Sequence, residues 1–251
     1  MNKNNLVSII TPSYNSARFI SQTIDSVLAQ TYQNWEMIIV DDVSKDNSVE
    51  IIEEYIKKDS RIKLIKLQKN SRAAMARNKA LDEAVGKYIA FLDSDDLWLP
   101  NKLEKQLEFM QKSSFAFSFT AYTPMSEDGS EDFSTIYVPK SLNYKEYCKN
   151  TIIGCLTVMI DREQTGKFHM PNIRSSHDMA LWLQIMKRGF LAHGLNEVLS
   201  KYRVVSTSNT SKKYKAAVEV WDVYRKVERL SLIRSVWYFI NYAFNAVKKR
   251  V

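Results

Sequence analysis

Cysteine is scarce in this 251-residue chain, and so are the residues that interrupt regular structure. The chain has two cysteines, five prolines and six glycines. Cys148 and Cys155 have no further cysteine to complete a zinc site, and the neighbouring His169 and His177 do not stand at zinc-finger spacing. A disulfide between the two cysteines is geometrically possible, but no secretory signal supports one. We therefore expect two reduced thiols.

Long apolar runs are also missing. No stretch of 18 or more apolar residues occurs, and the polar residues 1–5 lead directly into a strand-like segment. We therefore expect neither a transmembrane helix nor a signal peptide. With 45% hydrophobic and 25% charged residues, the chain can bury the core of one large α/β domain with a short appendage.

Acidic residues are few in the last fifth of the chain. Residues 201–251 contain twelve Lys or Arg and only three Asp or Glu, a net charge of +9, whereas the whole chain carries +8. The first 200 residues are therefore nearly neutral, at −1. A basic C-terminal segment indicates an anionic partner, either lipid head groups or nucleic acid.

Apolar strand-like segments alternate with helix-like segments over the first 110 residues. The predicted strands lie at 7–11, 35–40, 62–67 and 88–92, and a helix-like pattern follows each of them. One of these helices is expected over 47–57, with a capping box of Asn47 and Glu50, and another over 72–84. Residues 198–205 are expected to form a later strand. This rhythm predicts a mostly parallel sheet covered by helices on both faces. Ligands bind to such sheets outside the carboxyl ends of the strands.

Five aspartates follow these strands, and a parallel sheet would bring them to one edge. They are Asp41, Asp42, Asp93, Asp95 and Asp96. Carboxylates gathered in this way repel one another unless a divalent cation offsets their charge, and oxygen ligands suit Mg²⁺ or Mn²⁺ that bridges phosphates. Side-chain alternation lets Asp93 and Asp95 face one ligand. Helix capping and solvated loop charges are the alternative, above all for Asp96.

Four motifs resemble the successive signatures of the family 2 inverting glycosyltransferases. They are TPSYN at residues 11–15, VDDVS at 40–44, ARNKAL at 76–81 and FLDSDDLW at 91–98. The match in order and spacing is strong over residues 6–110 and fair to about residue 205. It implies a GT-A fold, which is a Rossmann-like, mostly parallel α/β sheet flanked by helices, here with a C-terminal helical extension. It also implies a nucleotide-diphosphate sugar as donor, most often a UDP-sugar.

The resemblance implies roles for individual residues. Asp42 would hydrogen-bond the base, and Arg77 would lie on the diphosphate side of the pocket. Asp95 would bind Mn²⁺ or Mg²⁺, with Asp93 as a second candidate for the metal or the ribose. The nucleotide-binding set would be Pro12, Ser13, Tyr14, Asp42, Arg77, Asp93 and Ser94.

A catalytic base is also implied. The segment SHDMALWL at residues 176–183 resembles the family's acidic pair followed by a Leu-Trp-Leu helix, and Asp178 matches the base. This residue would take the proton of the acceptor hydroxyl. An N-cap role for Asp178 is the alternative. The sequence departs from the family pattern at His177, where Glu is frequent, and at Ala180, which is often Asp, so the acceptor is not specified. His177 could titrate near neutrality and couple to Asp178, but we expect an ordinary surface histidine.

The segment at residues 202–205 resembles a Tyr-Arg-x-His segment of relatives, with Val205 in place of the His. We expect Arg203 and residues 206–213 to form a lid over the diphosphate. A solvated connector is the alternative for this segment.

The chain is expected to divide into a catalytic domain at 1–205 and a basic amphipathic helical tail at 206–251. Residues 1–110 would form the nucleotide-binding half of the domain, and residues 111–205 the acceptor-binding half. The tail has two competing interpretations: binding to an anionic membrane surface, which its charge favours, or packing on the domain or on another chain. Its apolar face would comprise Leu230, Ile233, Trp237, Ile240, Phe244 and Val247. The opposite, polar face would comprise Ser231, Arg234, Tyr238, Asn241, Asn245 and Lys248.

The predicted function is transfer of a sugar from a nucleotide donor to a hydroxyl of a glycan or lipid-linked acceptor in cell-surface polysaccharide synthesis. The enzyme would act in the cytoplasm, peripherally on the inner face of the membrane. One alternative is a nucleotidyltransferase of sugar phosphates, although residues 11–15 lack the glycines of a phosphate-binding loop. The other is a nucleic-acid-binding protein, which the near-neutral first 200 residues disfavour.

Overall fold

The computed structural model describes residues 5–205 and 213–248. Its centre is one nine-stranded sheet. The strands are β1 (Val7–Ser13), β2 (Trp35–Asp41), β3 (Ile62–Lys66), β4 (Tyr88–Phe91), β5 (Leu97–Trp98), β6 (Phe117–Met125), β7 (Ser141–Leu142), β8 (Met159–Asp161) and β9 (Ala192–Arg203).

Nine α-helices are found among the described residues. They are α1 (Ile20–Leu28), α2 (Ser48–Ile56), α3 (Arg72–Glu83), α4 (Lys102–Ser113), α5 (Tyr144–Lys149), α6 (Arg162–Thr165), α7 (His177–Lys187), α8 (Lys213–Asp222) and α9 (Leu232–Lys248). A single 3₁₀ turn at Cys155–Thr157 precedes β8, and a π-helical turn at Val223–Val227 follows α8.

The sheet is parallel in its N-terminal half and mixed beyond it. Strands β3, β2, β1 and β4 lie side by side and all run parallel. Next to them β8 pairs antiparallel with both β4 and β6, while β6 and β9 are parallel. The predicted α/β architecture is confirmed, and the all-parallel part consists of strands joined by helices that cross back over the sheet.

Two apolar cores cover the two faces of the sheet, because successive strand residues point in opposite directions. On β1, Ile10 belongs to the core beneath α3 and α7, whereas Ile9 belongs to the core beneath α1 and α4. On β4, Phe91 and Ala90 divide in the same way. Both cores bury residues from the start of β1 to the end of β4, which explains why these strands read as continuous apolar runs.

Two local predictions differ from the structure. The side chain of Asn47 makes no cap hydrogen bond, and the Ser48 N–H donates instead to Asp46 Oδ1 at 3.1 Å, so the expected capping box is not formed. The last strand begins at Ala192 rather than near residue 198, because pairing with β6 extends it past a bulge. An irregular register of this kind hides the period-two pattern on which strand prediction depends.

The C-terminal helices pack against the domain, but α9 does so through the less apolar of its two faces. Tyr238, Phe239 and Tyr242 lie against the core beneath α3 and α7, and Ser235 is fully buried. The opposite side leaves large apolar side chains exposed: Leu232, Ile233, Val236, Trp237, Ile240 and Phe244. Residues 206–212, most of the predicted lid, lie outside the described residues. The division at residue 205 stays a prediction.

Candidate active site

A cavity of about 660 Å³ opens at the carboxyl edge of the sheet, where β1, β2 and β4 end. Their parallel order puts the residues that follow them on one side of the molecule. Six predicted site residues line this one cavity: Tyr14, Asp42, Arg77, Asp93, Asp95 and Asp178. Side chains up to 164 positions apart in sequence therefore share one space.

Asp42 anchors the loop that leads into α3. Its Oδ1 accepts the Ser71 N–H at 2.6 Å, and its Oδ2 accepts the Arg72 N–H at 2.7 Å. The Asn70 side-chain amide donates to the Asp42 carbonyl at 3.0 Å. Asp42 is almost fully buried, yet it lines the cavity. Each carboxylate oxygen keeps a second lone pair, so a base could still donate to it.

Strained backbone borders this end of the cavity. Val43, which follows Asp42, has φ +66°, and Arg72 has φ +71°. The left-handed region is costly for residues with a side chain, and most of all for a β-branched one. Ser176, at the opposite wall, has φ +54°. Strain of this kind is concentrated at functional sites, where the surrounding structure holds it in place.

Arg77, on α3, connects two other cavity residues. Its guanidinium donates to Asp93, and its Nη1 lies 2.6 Å from His177 Nε2. Burial, together with the Arg77 charge, lowers the pKa of His177 to about 3. The imidazole is therefore neutral near pH 7, with Nε2 accepting from the guanidinium. His177 was expected to be an ordinary surface residue, so this prediction was wrong.

Asp93 and Asp95, which follow β4, both line the cavity, as side-chain alternation after that strand predicted. Burial and the Asp93 charge raise the pKa of Asp95 to about 6. Asp96 points elsewhere: it is buried, and its Oδ1 accepts the Arg203 N–H at 2.8 Å. Asp96 is thus neither a cavity residue nor the N-cap of α4, which is Asn101.

The donor set fits a divalent cation only in part. The negative charges of two neighbouring carboxylates repel each other, and a bound cation would offset this repulsion. However, within residues 5–205 and 213–248 no group of three or more His, Cys, Asp or Glu side chains is placed to hold a metal ion. A Mn²⁺ or Mg²⁺ ion here would take Asp95 and Asp93 from the protein, and the other ligands from a diphosphate and water.

Asp178 lies in the first turn of α7, one residue past the first helical position. The N-cap is Ser176, whose side chain makes no cap hydrogen bond, so Asp178 is not the N-cap residue. Burial raises the pKa of Asp178, and the Arg77 charge partly opposes that shift. A half-buried carboxylate with a raised pKa, facing a cavity, has the character of a general base.

Four predicted residues do not line the cavity: Pro12, Ser13, Ser94 and Arg203. Ser13 Oγ is bonded to Ser16 Oγ at 2.8 Å. Arg203 is 1% exposed, and its guanidinium donates to the Asp95 carbonyl at 2.8 Å, the Glu127 carbonyl at 2.8 Å and Gln22 Oε1 at 2.7 Å. Contrary to the prediction of a diphosphate contact, Arg203 therefore holds the strand-end loops together.

Several residues that line the cavity belong to none of the sequence motifs and were not predicted. Arg72 and Arg174 add positive charge, and Tyr147 and Cys155 add a buried phenol and thiol whose pKa values burial raises well above the ordinary range. Four further lining residues come from the C-terminal helices: Ala216, Glu219, Val220 and Tyr242. The only signal in the sequence was that Glu219 is one of three acids in a basic segment.

The chain belongs to glycosyltransferase family 2: residues 8–163 match the family described as Glycosyl transferase family 2. The protein is therefore a glycosyltransferase, as the four motifs indicated.

Two relatives match along nearly the whole chain. A Bacillus subtilis protein, TuaG, described as a glycosyltransferase of teichuronic acid biosynthesis, is 56% identical over 246 residues and covers 98% of both chains. An Escherichia coli protein, WfgD, is 40% identical over 245 residues, covering 97% of this chain and 94% of its own. The latter is named UDP-Glc:α-D-GlcNAc-diphosphoundecaprenol β-1,3-glucosyltransferase.

Solved structures confirm the GT-A fold. S. aureus TarS in complex with UDP-GlcNAc superimposes with a TM-score of 0.73 at 18% identity, over 94% of this chain and 70% of that one. The mannosyltransferase PcManGT of Pyrobaculum calidifontis, in complex with GDP-Man and Mn²⁺, gives 0.70 at 16% identity, over 96% and 74%. The C-terminal helices of this chain are also present as predicted.

Proposed function

We propose that this glycosyltransferase transfers a sugar, with inversion, from a UDP-sugar to a hydroxyl of a lipid-linked acceptor in cell-surface polysaccharide synthesis. The observation that carries the proposal is the single cavity shared by Asp42, Asp95 and Asp178. The names of the relatives support the donor and the acceptor class: one uses UDP-Glc and a diphosphoundecaprenol-linked sugar, and another is assigned to teichuronic acid synthesis.

The positions of the residues support one mechanism. Asp178 removes the proton from the acceptor hydroxyl, whose oxygen forms a bond to the anomeric carbon of the donor. The bond from that carbon to the diphosphate oxygen breaks, and its electron pair leaves with UDP. Attack from the side opposite the nucleotide inverts the configuration. Arg72 and Arg77, on the α3 side of the cavity, supply positive charge where the diphosphate charge develops.

Asp95 and Asp93 would hold a divalent cation, which neutralises charge on the departing diphosphate when it is bound. Asp42 would orient the uracil by accepting its N–H while keeping the loop before α3 in place. Cavity residues at both ends of the donor would thus position it, and Asp178 alone would handle the acceptor proton.

The experiment separates donor binding from transfer. We expect UDP with Mn²⁺ to raise the melting temperature of the wild type, and a panel of UDP-sugars to identify one that is hydrolysed slowly. Asp95→Asn should lose most of the UDP-dependent shift. Asp178→Asn should keep that shift but lose transfer by at least about 10²-fold, as removal of a general base does.

Asp82→Asn is the matched control, because Asp82 is an exposed carboxylate paired with His169 on the outer side of α3. It should behave like the wild type in both assays. Full transfer activity in Asp178→Asn would refute the assignment of the base. Equal UDP shifts in the wild type and Asp95→Asn would refute the proposed donor site.

The site of action is proposed to be the cytoplasmic face of a membrane, with α9 as the contact. Both cysteines are free and buried, which suits a reducing compartment. No helix among the described residues is long and apolar enough to cross a bilayer. The support for surface binding is the exposed apolar side of α9 within a segment that carries a net charge of +9.

A further inference from the structure

The wall of the cavity that faces the sheet edge is built by α8 and α9. Ala216, Glu219 and Val220 come from α8, and Tyr242 comes from α9. All four follow residue 163, where the family match ends. The cavity that contains Asp178 is therefore completed by a part of the chain that the family match does not cover.

This wall is firmly attached to the elements that carry the predicted base. Tyr224, which is fully buried, donates through its hydroxyl to the Cys148 carbonyl on α5. Glu228 pairs with Lys187 of α7 at 2.6 Å and accepts a hydrogen bond from the Tyr144 hydroxyl. Because α7 also carries Asp178, these contacts tie the helical wall to the helix that bears the predicted base.

Glu219 is the polar group of this wall. It is partly buried, and it forms no ion pair or hydrogen bond with another of the described residues. Its carboxylate is therefore free to accept hydrogen bonds from a ligand in the cavity. Vicinal hydroxyls of a sugar are suitable donors, because one carboxylate accepts two hydrogen bonds side by side.

Tyr242 and Arg174 provide complementary chemistry near Glu219. Tyr242 presents an aromatic ring with a polar tip, which suits the apolar face of a sugar ring. Arg174 is exposed at the cavity and offers a guanidinium, the group that best matches phosphate oxygens. Arg72 and Arg77 lie with the nucleotide-binding residues on α3, so Arg174 is available for a second phosphate group.

We propose that α8 and α9 form the acceptor subsite, in which Glu219 binds hydroxyls of the acceptor sugar, Tyr242 packs on its ring and Arg174 binds the phosphate that links it to its carrier. The ligand class is a sugar diphospho-lipid. This proposal rests on the proposed function. Helix α9 presents Tyr242 to the cavity and Phe244 on its exposed apolar side.

The test compares acceptor and donor parameters of the full-length enzyme. The probes are synthetic GlcNAc-, GalNAc- and Glc-diphospho-lipids in detergent, each with the UDP-sugar that the wild type hydrolyses. Glu219→Gln should raise the acceptor KM about tenfold, the loss of one charge-assisted hydrogen bond. Tyr242→Ala should raise it similarly, and Tyr242→Phe should restore most of the wild-type value. The donor KM and the rate of donor hydrolysis without acceptor should stay within about twofold.

Asp222→Asn is the control, because Asp222 lies on the same helix, pairs with Lys226 and is outside this cavity. An unchanged acceptor KM in both Glu219→Gln and Tyr242→Ala would overturn the subsite. Donor hydrolysis by the wild type without turnover of any of the three lipids would overturn the named ligand class while leaving the donor site intact. If the wild type hydrolyses no UDP-sugar at all, the proposed function itself is contradicted.

Discussion

At the scale of single residues, the chemistry of the site depends on how burial changes acids. Asp178 is half-buried beside Arg77, Asp93 and Tyr147, and this burial raises its pKa despite the nearby guanidinium. A base must be deprotonated to act, so activity is lost as pH falls through this raised pKa. His177 does not contribute to this limb, because its pKa of about 3 keeps it neutral.

We therefore predict an acid limb in kcat that lies above the ordinary aspartate pKa of about 3.9. The measurement is kcat between pH 4 and 8 with donor, acceptor and Mn²⁺ all saturating, so that weaker donor binding at low pH affects KM instead. The expected slope of log kcat is one. A kcat that stays constant down to pH 4 would contradict the role of Asp178, as would an unchanged profile in Asp178→Asn.

Motifs predicted the residues that carry charge in the cavity but not how the protein holds them. Asp42, Asp95 and Asp178 were predicted from their place after strands and from the family pattern. The bonds from Asp42 to the amides of Ser71 and Arg72 could not be predicted, because they depend on a left-handed backbone at Arg72. A non-glycine residue in that region leaves no signal in a single sequence.

At the scale of elements, Asp42 links the end of β2 to the start of α3. It satisfies two backbone N–H groups near a helix N-terminus, which capping side chains otherwise do. We predict that Asp42→Asn lowers the free energy of unfolding by about 1–2 kcal/mol, because the amide oxygen can replace only one of the two carboxylate acceptors.

The measurement is urea unfolding without nucleotide, so that loss of donor binding does not enter. Asp82→Asn, an exposed pair on the same helix, should change the free energy by less than about 0.5 kcal/mol. An Asp42→Asn variant as stable as the wild type would show that the two hydrogen bonds do not hold this loop.

Elements with regular periodicity were predicted well, and those that rely on irregular pairing were not. The expected helix at 72–84 is found at Arg72–Glu83, and the expected strand at 62–67 at Ile62–Lys66. The short strand β5 was not predicted, because Leu97 and Trp98 gain strand character only by pairing with β9. Pairing between residues about 100 positions apart is tertiary context, which local patterns do not contain.

At the scale of the whole molecule, one side of the C-terminal segment packs on the domain and the other side faces the solvent. The sequence pattern predicted an amphipathic helix but not which side would meet the protein. Tyr238 was assigned to the polar face, yet it packs near Tyr224 against the core. The more apolar face, with Ile233 83% and Phe244 70% exposed, is left without a protein partner among the described residues.

The partner that we propose for this exposed face is an anionic bilayer. Burying apolar side chains in the interface is favourable, and basic residues near the surface add about 1 kcal/mol each through attraction to anionic lipids. Arg225, Arg229 and Arg234 are exposed, and Arg234 lies on α9 itself. The exposed face belongs to the same helix, α9, that supplies Tyr242 to the proposed acceptor subsite from its other side.

We predict that the purified protein cosediments with vesicles that contain phosphatidylglycerol, and at least about tenfold less with phosphatidylcholine alone. Trp237→Glu should weaken the binding by a similar factor, since it places a charge in the apolar face and removes an aromatic anchor. Leu191→Glu, at a 44% exposed leucine outside α9, is the matched control and should bind like the wild type. Raising the salt concentration should weaken binding, because the attraction to anionic head groups is screened. If the wild type ignores both kinds of vesicle and instead forms a dimer that Trp237→Glu dissociates, a second copy of the chain covers this face and the membrane proposal is wrong.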